Sequence, residues 1–137
     1  MSRANDLRSL AQVLDELRTT FVAALNRADT EALAALYTAD AMLLAPAAAP
    51  ISGREAIRRF WQAGLDAGIV AIRLEPAAFE HDTRLAYELG SYELWLEPAA
   101  SSTIVDRGSY ALIHSREYDN SWRRRVEIFT PAGVRPA

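Results

Sequence analysis

A few side chains combine reactive chemistry with positions on long strand-like runs. His114 lies in SYALIHSREY, in phase with Asp106, Gly108, Tyr110 and Leu112. If that face points inward, burial favours the neutral imidazole. A neutral imidazole serves as a general base or a hydrogen-bond donor. The alternative is a buried or interfacial histidine whose hydrogen bonds are already satisfied. Glu88 and Glu93 share the run AYELGSYELWLE and alternate faces, so without a bulge only one can enter a common pocket. Leu85, Tyr87, Leu89 and Trp95 make the odd set the more apolar, which nominates Glu93 as the buried carboxylate and leaves a solvated or dimer-face role as its alternative. A bend or bulge at Gly90 would reverse that phase. Alternation also splits Arg123, Arg124 and Arg125 across two faces. Arg124 is in phase with Trp122, Val126 and Ile128. It either reaches a pocket mouth to pair with an acid such as Glu93, or packs its stem on Trp122 with its head in water.

Composition narrows the classes around these residues. A chain of 137 residues, 50% hydrophobic and 24% charged, suits one domain with one core. The formal charge of −3 gives no overall attraction to nucleic acid. The strand aromatics do not line up with a basic stripe as RNA-binding sheets require. The chain has no cysteine, which removes thiolate chemistry, disulfides and zinc–thiolate sites, and its two histidines make a multi-histidine metal centre a poor expectation. No phosphate-binding glycine loop, Gly-x-Ser-x-Gly elbow, His-Glu-x-x-His helix or calcium loop is present. No apolar run approaches the roughly 20 residues that span a bilayer, and the charged, amphipathic N-terminus lacks the apolar core of a signal peptide. The expectation is a soluble, cytoplasmic protein without a cofactor.

The elements that must position these groups fall in two blocks. Residues 4–27 carry Leu7, Leu10, Val13 or Leu14, Leu17, Phe21 and Leu25 on one helical stripe, with Arg3, Arg8, Asp15, Glu16 and Arg18 mostly opposite. Asp29 or Thr30 caps a second short helix that ends near Tyr37. Met42 to Ala45 reads as a short buried strand. Ser52, with Glu55 three positions on, reads as the capping box of a third helix that Gly64 and Gly68 weaken and stop. From residue 69 the period shifts towards two. Strands are expected near 69–80, 84–97, 103–118 and 121–129, with turns at 81–83, 98–102 and 119–121. Helices first and an antiparallel meander after is an α+β pattern, with helices on one face of the sheet.

The stretches FVAALNRADTEALAALYTADAMLLAP (21–46), SGREAIRRFW (52–61), LAYELGSYEL (85–94), DRGSYALI (106–113) and SWRRRVEIF (121–129) resemble the NTF2-like superfamily. The closer likeness is to its small SnoaL-like and DUF4440-type members, over roughly residues 7 to 130. The resemblance implies a cystatin-like cone: a strongly bent antiparallel sheet wrapping the first helix around a pocket. It also implies a homodimer built by packing the outer sheet faces. It is specific for fold and weak for activity, because the fold hosts isomerases, dehydratases, cyclases, hydrolases and binding modules.

Ketosteroid isomerase, in the same superfamily, uses an aspartate base, a tyrosine and a protonated aspartic acid. Aligned on the matching stretches, the tyrosine position is Phe21, the base position is Ala45, and the second oxyanion donor falls at or near His114. Steroid isomerisation by that mechanism is therefore not expected. Tyr37 and Trp61 match cavity-lining positions, or else are core packing; Tyr110, in phase with His114, joins them as a ligand contact. Asp40 falls where the family often places an acid at the start of the first strand, and is either a pocket carboxylate or a turn residue. The expected activity is cofactor-independent proton transfer, isomerase- or dehydratase-like, on an apolar, carbonyl-bearing ligand. His114 would be the base, with Glu93 or Asp40 orienting it and Phe21, Tyr37, Trp61, Tyr110 and Arg124 around the ligand. The alternative is a non-catalytic binding or association module.

Overall fold

The computed structural model describes residues 3–96 and 103–132. The turn expected at 98–102 and the end of the chain from 133 lie outside the described residues. Helix α1 spans Arg3–Asn26, α2 Thr30–Ala34 and α3 Arg54–Asp66; the strands are β1 Tyr37–Leu44, β2 Ile51–Ser52, β3 Ile69–His81, β4 Leu85–Leu96, β5 Thr103–Arg116 and β6 Trp122–Pro131. They form one six-stranded sheet in the order β2-β1-β6-β5-β4-β3. The expected meander is present, antiparallel from β3 to β6. Beyond it, β1 adds parallel to β6 at the far side, a pairing the hydrophobic pattern did not announce.

Local chemistry explains the boundaries. The Asp29 carboxylate accepts a hydrogen bond from the Ala32 N–H at 3.0 Å and caps α2. That helix stops at Ala34 rather than near Tyr37, because the sheet claims the following backbone. The Leu36 carbonyl accepts the Arg124 N–H at 2.8 Å, and the Ala35 carbonyl accepts the Arg123 guanidinium at 2.9 Å. The Ser52 capping box does not form. Ser52 pairs with Met42 in β2, Gly53 takes the cap position at φ 92°, and Glu55 is held by Arg58 at 2.7 Å. Helix α3 ends as expected, with Gly68 at φ 112° just beyond it. Pro76 sits in β3, an edge strand, where its missing N–H costs no ladder bond, and a register shift follows it opposite Gly90.

The α1 stripe buries Leu10, Leu14, Phe21, Ala24 and Leu25 against the sheet. Phe21, Leu25, Leu33, Tyr37, Leu43, Ile57 and Trp61 make the main core, and Leu10, Leu14 and Ala86 make a second cluster under the first half of α1, with Trp122 against it. Two phases differ from the sequence reading. In β4 the even residues Ala86, Glu88 and Tyr92 are the buried ones, and Leu85, Tyr87 and Leu89 are each about 40% exposed on the outer face. In β6 the ladder shifts register around Arg125, so Arg124 and Glu127 share the inner face. Val126 and Ile128, cross-strand partners of Ile113 and Ala111, take the outer one.

Candidate functional site

Three cross-strand rows on β4, β5 and β6 build the inner face. Ala86, His114 and Arg124 form one row; Glu88, Leu112 and Glu127 the next; Gly90, Tyr110 and Phe129 the third. Directly opposed side chains in such rows sit about 5 Å apart at Cβ. His114 and Glu88 are each 1% exposed, and Arg124 and Glu127 each 2%. Charged groups this deep must be paired or hydrogen-bonded, and the pairing divides them into two centres.

The first centre is Glu88. Its Oε2 accepts the Tyr110 hydroxyl at 2.6 Å and Arg18 Nε at 3.1 Å. Its Oε1 faces His114 Nε2 at 3.5 Å, longer than a normal hydrogen bond. Two donors thus pin the carboxylate by one oxygen and present the other to the imidazole. Burial opposes ionisation of Glu88, but the His114, Arg18 and Tyr110 side chains outweigh it and hold the carboxyl down at about 2. Burial lowers the His114 pKa, so the imidazole is neutral, with Glu88 pulling partly the other way. Burial and the adjacent Glu88 raise Tyr110, which keeps its proton. A neutral imidazole beside a fixed carboxylate is the arrangement of an oriented general base.

The second centre is Glu127, which accepts the Tyr37 hydroxyl on Oε1 and Arg124 Nη1 on Oε2 at 3.2 Å. The Trp61 indole N–H donates to the Tyr37 oxygen at 3.1 Å, and the Arg124 guanidinium lies 3.8 Å over the Phe21 ring. Burial raises the Glu127 pKa against the pull of Arg124 and Tyr37.

The interior therefore brings together His114, Tyr110, Arg124, Phe21, Tyr37 and Trp61, as the sequence suggested. It does not bring in Glu93 or Asp40. Glu93 lies on the outer face between Arg73 and Arg107, at 3.9 and 3.8 Å, in an open cleft of about 450 Å³. The apolar odd set of β4 is the outer surface, so the apolarity argument selected the wrong face. Asp40 is exposed within β1, not at a turn, and accepts the Thr38 hydroxyl at 2.9 Å. Arg124 does not approach Glu93; the register shift in β6 turns it towards Glu127 instead. Sequence reasoning weighed Glu88 but preferred Glu93, left the face of Glu127 open, and gave Arg18 no place in the site. Arg18 had a legible signal, since it falls four residues after Leu14 and three before Phe21 and so borders the buried stripe. Among the described residues no group of three or more His, Asp or Glu side chains is placed to hold a metal ion. Nor is any described helix long and apolar enough to cross a membrane.

At the β3 edge, Phe79 is the cross-strand partner of Glu88 and is 40% exposed, with the His81 ring stacked on it. Solvent thus reaches within one strand of the buried carboxylate.

The chain matches the SnoaL-like domain over residues 19–94, more than half its length, and belongs to that family. Its fold is similar to that of Rv3472, a Mycobacterium tuberculosis protein of unknown function, at 20% identity and a TM-score of 0.85, covering 98% of this chain and 78% of that one. An NTF2-like protein with a cystatin-like fold from Novosphingobium aromaticivorans gives 20% identity and 0.82, covering 96% and 89%. A ketosteroid isomerase-like protein from Erwinia carotovora atroseptica gives 16% and 0.74, covering 90% and 96%. Comparison with curated proteins finds no match. At these identities the likeness establishes the α+β, NTF2-like fold.

Proposed function

We propose that this SnoaL-like protein catalyses cofactor-independent proton transfer on a small, apolar, carbonyl-bearing ligand, with His114 as the base. The observation that carries the reading is the asymmetric loading of Glu88: Tyr110 and Arg18 occupy Oε2, and Oε1 is turned to His114. Such a carboxylate fixes the ring and stabilises the imidazolium formed when the base takes a proton. The ligand would reach it past Phe79 at the β3 edge. Solvent-deuterium exchange tests this without a known substrate. A panel of small ketones and enones is incubated with protein in D2O, and label at carbons next to the carbonyl is read by mass spectrometry. Wild type is expected to accelerate exchange in a subset, and a folded His114→Ala variant to lose it. A His114→Ala protein that exchanges as well as wild type removes the mechanism.

A second reading is a non-catalytic, dimeric association module. Phe21, Tyr37 and Trp61 are all at most 3% exposed, so they fill the interior. Met42, Leu85, Tyr87 and Leu89 stand about 40% exposed on the outer face, where a second copy of the sheet would cover them. A homodimer through this face is compatible with either reading. A wild-type protein that accelerates no exchange while forming a stable dimer favours the second.

A further inference from the structure

Three inner-face side chains of β4, β5 and β6 carry buried polar atoms with no protein hydrogen-bond partner: Glu88 Oε1, both ring nitrogens of His114, and Arg124 Nε; His81 Nε2, on β3 opposite Ala86, lacks a partner too. Each of the three inner-face residues is 2% exposed or less. His114 and Arg124 are direct cross-strand partners, and Glu88 stands in the adjoining row next to the partner of His114. Other polar atoms of Glu88 and Arg124 are engaged. Glu88 Oε2 holds Tyr110 and Arg18, and Arg124 Nη1 holds Glu127 while the guanidinium plane rests on Phe21. Glu88 Oε1 and His114 Nε2 face each other at 3.5 Å, too far for a full hydrogen bond; buried polar atoms are nearly always satisfied, so the three side chains point to something bound beside them.

The chemistry of the unsatisfied atoms is specific. Arg124 Nε–H can only donate, an ionised Glu88 Oε1 can only accept, and a neutral imidazole offers one of each. A carbonyl or ether oxygen would serve Arg124 and leave Glu88 alone. An ammonium group would serve Glu88 and leave Arg124 alone, and an amide would need two separate atoms to serve both. An anionic group would be repelled by Glu88. A hydroxyl accepts and donates from one atom. We infer that Glu88, His114 and Arg124 form a hydroxyl-binding site, occupied by the hydroxyl of a small organic ligand or by a water molecule. The inference rests on the reading of the inner face as a ligand site, and narrows its ligands to those that bring a hydroxyl to His114.

The test uses two probes with one carbon skeleton, propan-2-ol and acetone, on the wild-type protein labelled with ¹⁵N. The signals are Arg124 Nε–H, identified by its absence from an Arg124→Lys variant, and the His114 ring nitrogens. Propan-2-ol is expected to shift both sets at concentrations on the order of tenfold below acetone, because acetone leaves a buried acceptor unpaired. A long-lived water cross-peak to Arg124 Nε–H that propan-2-ol displaces assigns the site to a ligand hydroxyl. A cross-peak that propan-2-ol does not displace assigns it to water. Acetone binding as well as propan-2-ol overturns the inference, as does the absence of both shifts and cross-peak. These outcomes are separate from the deuterium exchange. Loss of the catalytic reading there leaves an alcohol preference intact, and an acetone preference here leaves the catalytic reading intact.

Discussion

The Tyr110 ring lies across Gly90, its partner in the β4–β5 ladder. A Cβ built on Gly90 would stand 2.6 Å from both Cζ and Oη of Tyr110 and would also strike the Glu75 carbonyl oxygen. The bare backbone lets the phenol cross the strand to Glu88, two residues along. Gly90→Ala is therefore expected to displace Tyr110 and lower stability by about 1–3 kcal/mol. Urea denaturation checks the loss. A variant as stable as wild type would mean that the ring and the β3 backbone both give way at no cost.

Acid should act in two stages. His114 has its pKa lowered below the ordinary 6.5, so as pH falls past that value the unfolded chain takes up a proton that the folded chain refuses, and stability declines. Glu88, held at about 2 against an ordinary 4.5, contributes stability that is complete above about 4.5 and is lost as pH falls towards 2. The second stage is on the order of 3 kcal/mol. Unfolding midpoints measured across pH should fall in both windows. Glu88→Gln should be weaker at neutral pH and lose less stability than wild type between 4.5 and 2, where Asp29, Glu55, Asp82 and Asp119, also lowered, still titrate; a Glu88→Gln profile parallel to wild type there would show that Glu88 is not the group responsible.

Arg124 and Glu127 form a fully buried pair at 3.2 Å. Removing one partner strands the other, so Arg124→Met is expected to cost about 3–5 kcal/mol, while Arg124→Met with Glu127→Gln recovers most of it. Calorimetric melting of the single and double variants checks this. Equal stability of the two would show that burial already keeps Glu127 protonated.

The outer face offers a direct test of assembly. Leu89 is 43% exposed in its middle, with Tyr87 beside it at 40%. Wild type is expected to sediment as a dimer and Leu89→Glu as a monomer with an unchanged far-ultraviolet spectrum. A Leu89→Glu dimer would place the interface elsewhere.

Most of the fold was legible because its signals are local. The α1 stripe, the Asp29 cap, the turns at 81–83 and 119–121, where Asp82 accepts the Arg84 and Leu85 N–H groups and Asp119 the Ser121 N–H, and the period-two runs each arise within a few residues. The site was half legible. His114, Tyr110 and the aromatic residues were found because they lie on faces with a clear period. Glu88 was weighed but passed over for Glu93 because the usual rule that the apolar face is inside is inverted in β4. The inner face carries the polar chemistry, and the outer face carries Leu85, Tyr87 and Leu89. Arg124 and Glu127 depend on a register shift at Arg125, a long-range property of the ladder that no local pattern encodes. Tyr37 was read as a helix end because its strand partner lies on β6, more than 80 residues away.

That last pairing bears on how the protein comes into being. The strand β1 is synthesised well before the strand it must lie beside, β6, with α3 and three long strands made in between. Until then Leu43 and Tyr37 have no sheet to enter, and Glu127 is not there to receive the Tyr37 hydroxyl. A nascent chain ending at the β5–β6 turn would keep β1 and β2 beside α3 but unjoined to the β3–β5 ribbon, since β6 alone links them in the sheet. Both β1 and β6 must therefore be translated before the Glu127 centre is whole, whereas the Glu88 centre needs only α1, β4 and β5, and a contact this distant in sequence is expected to slow folding.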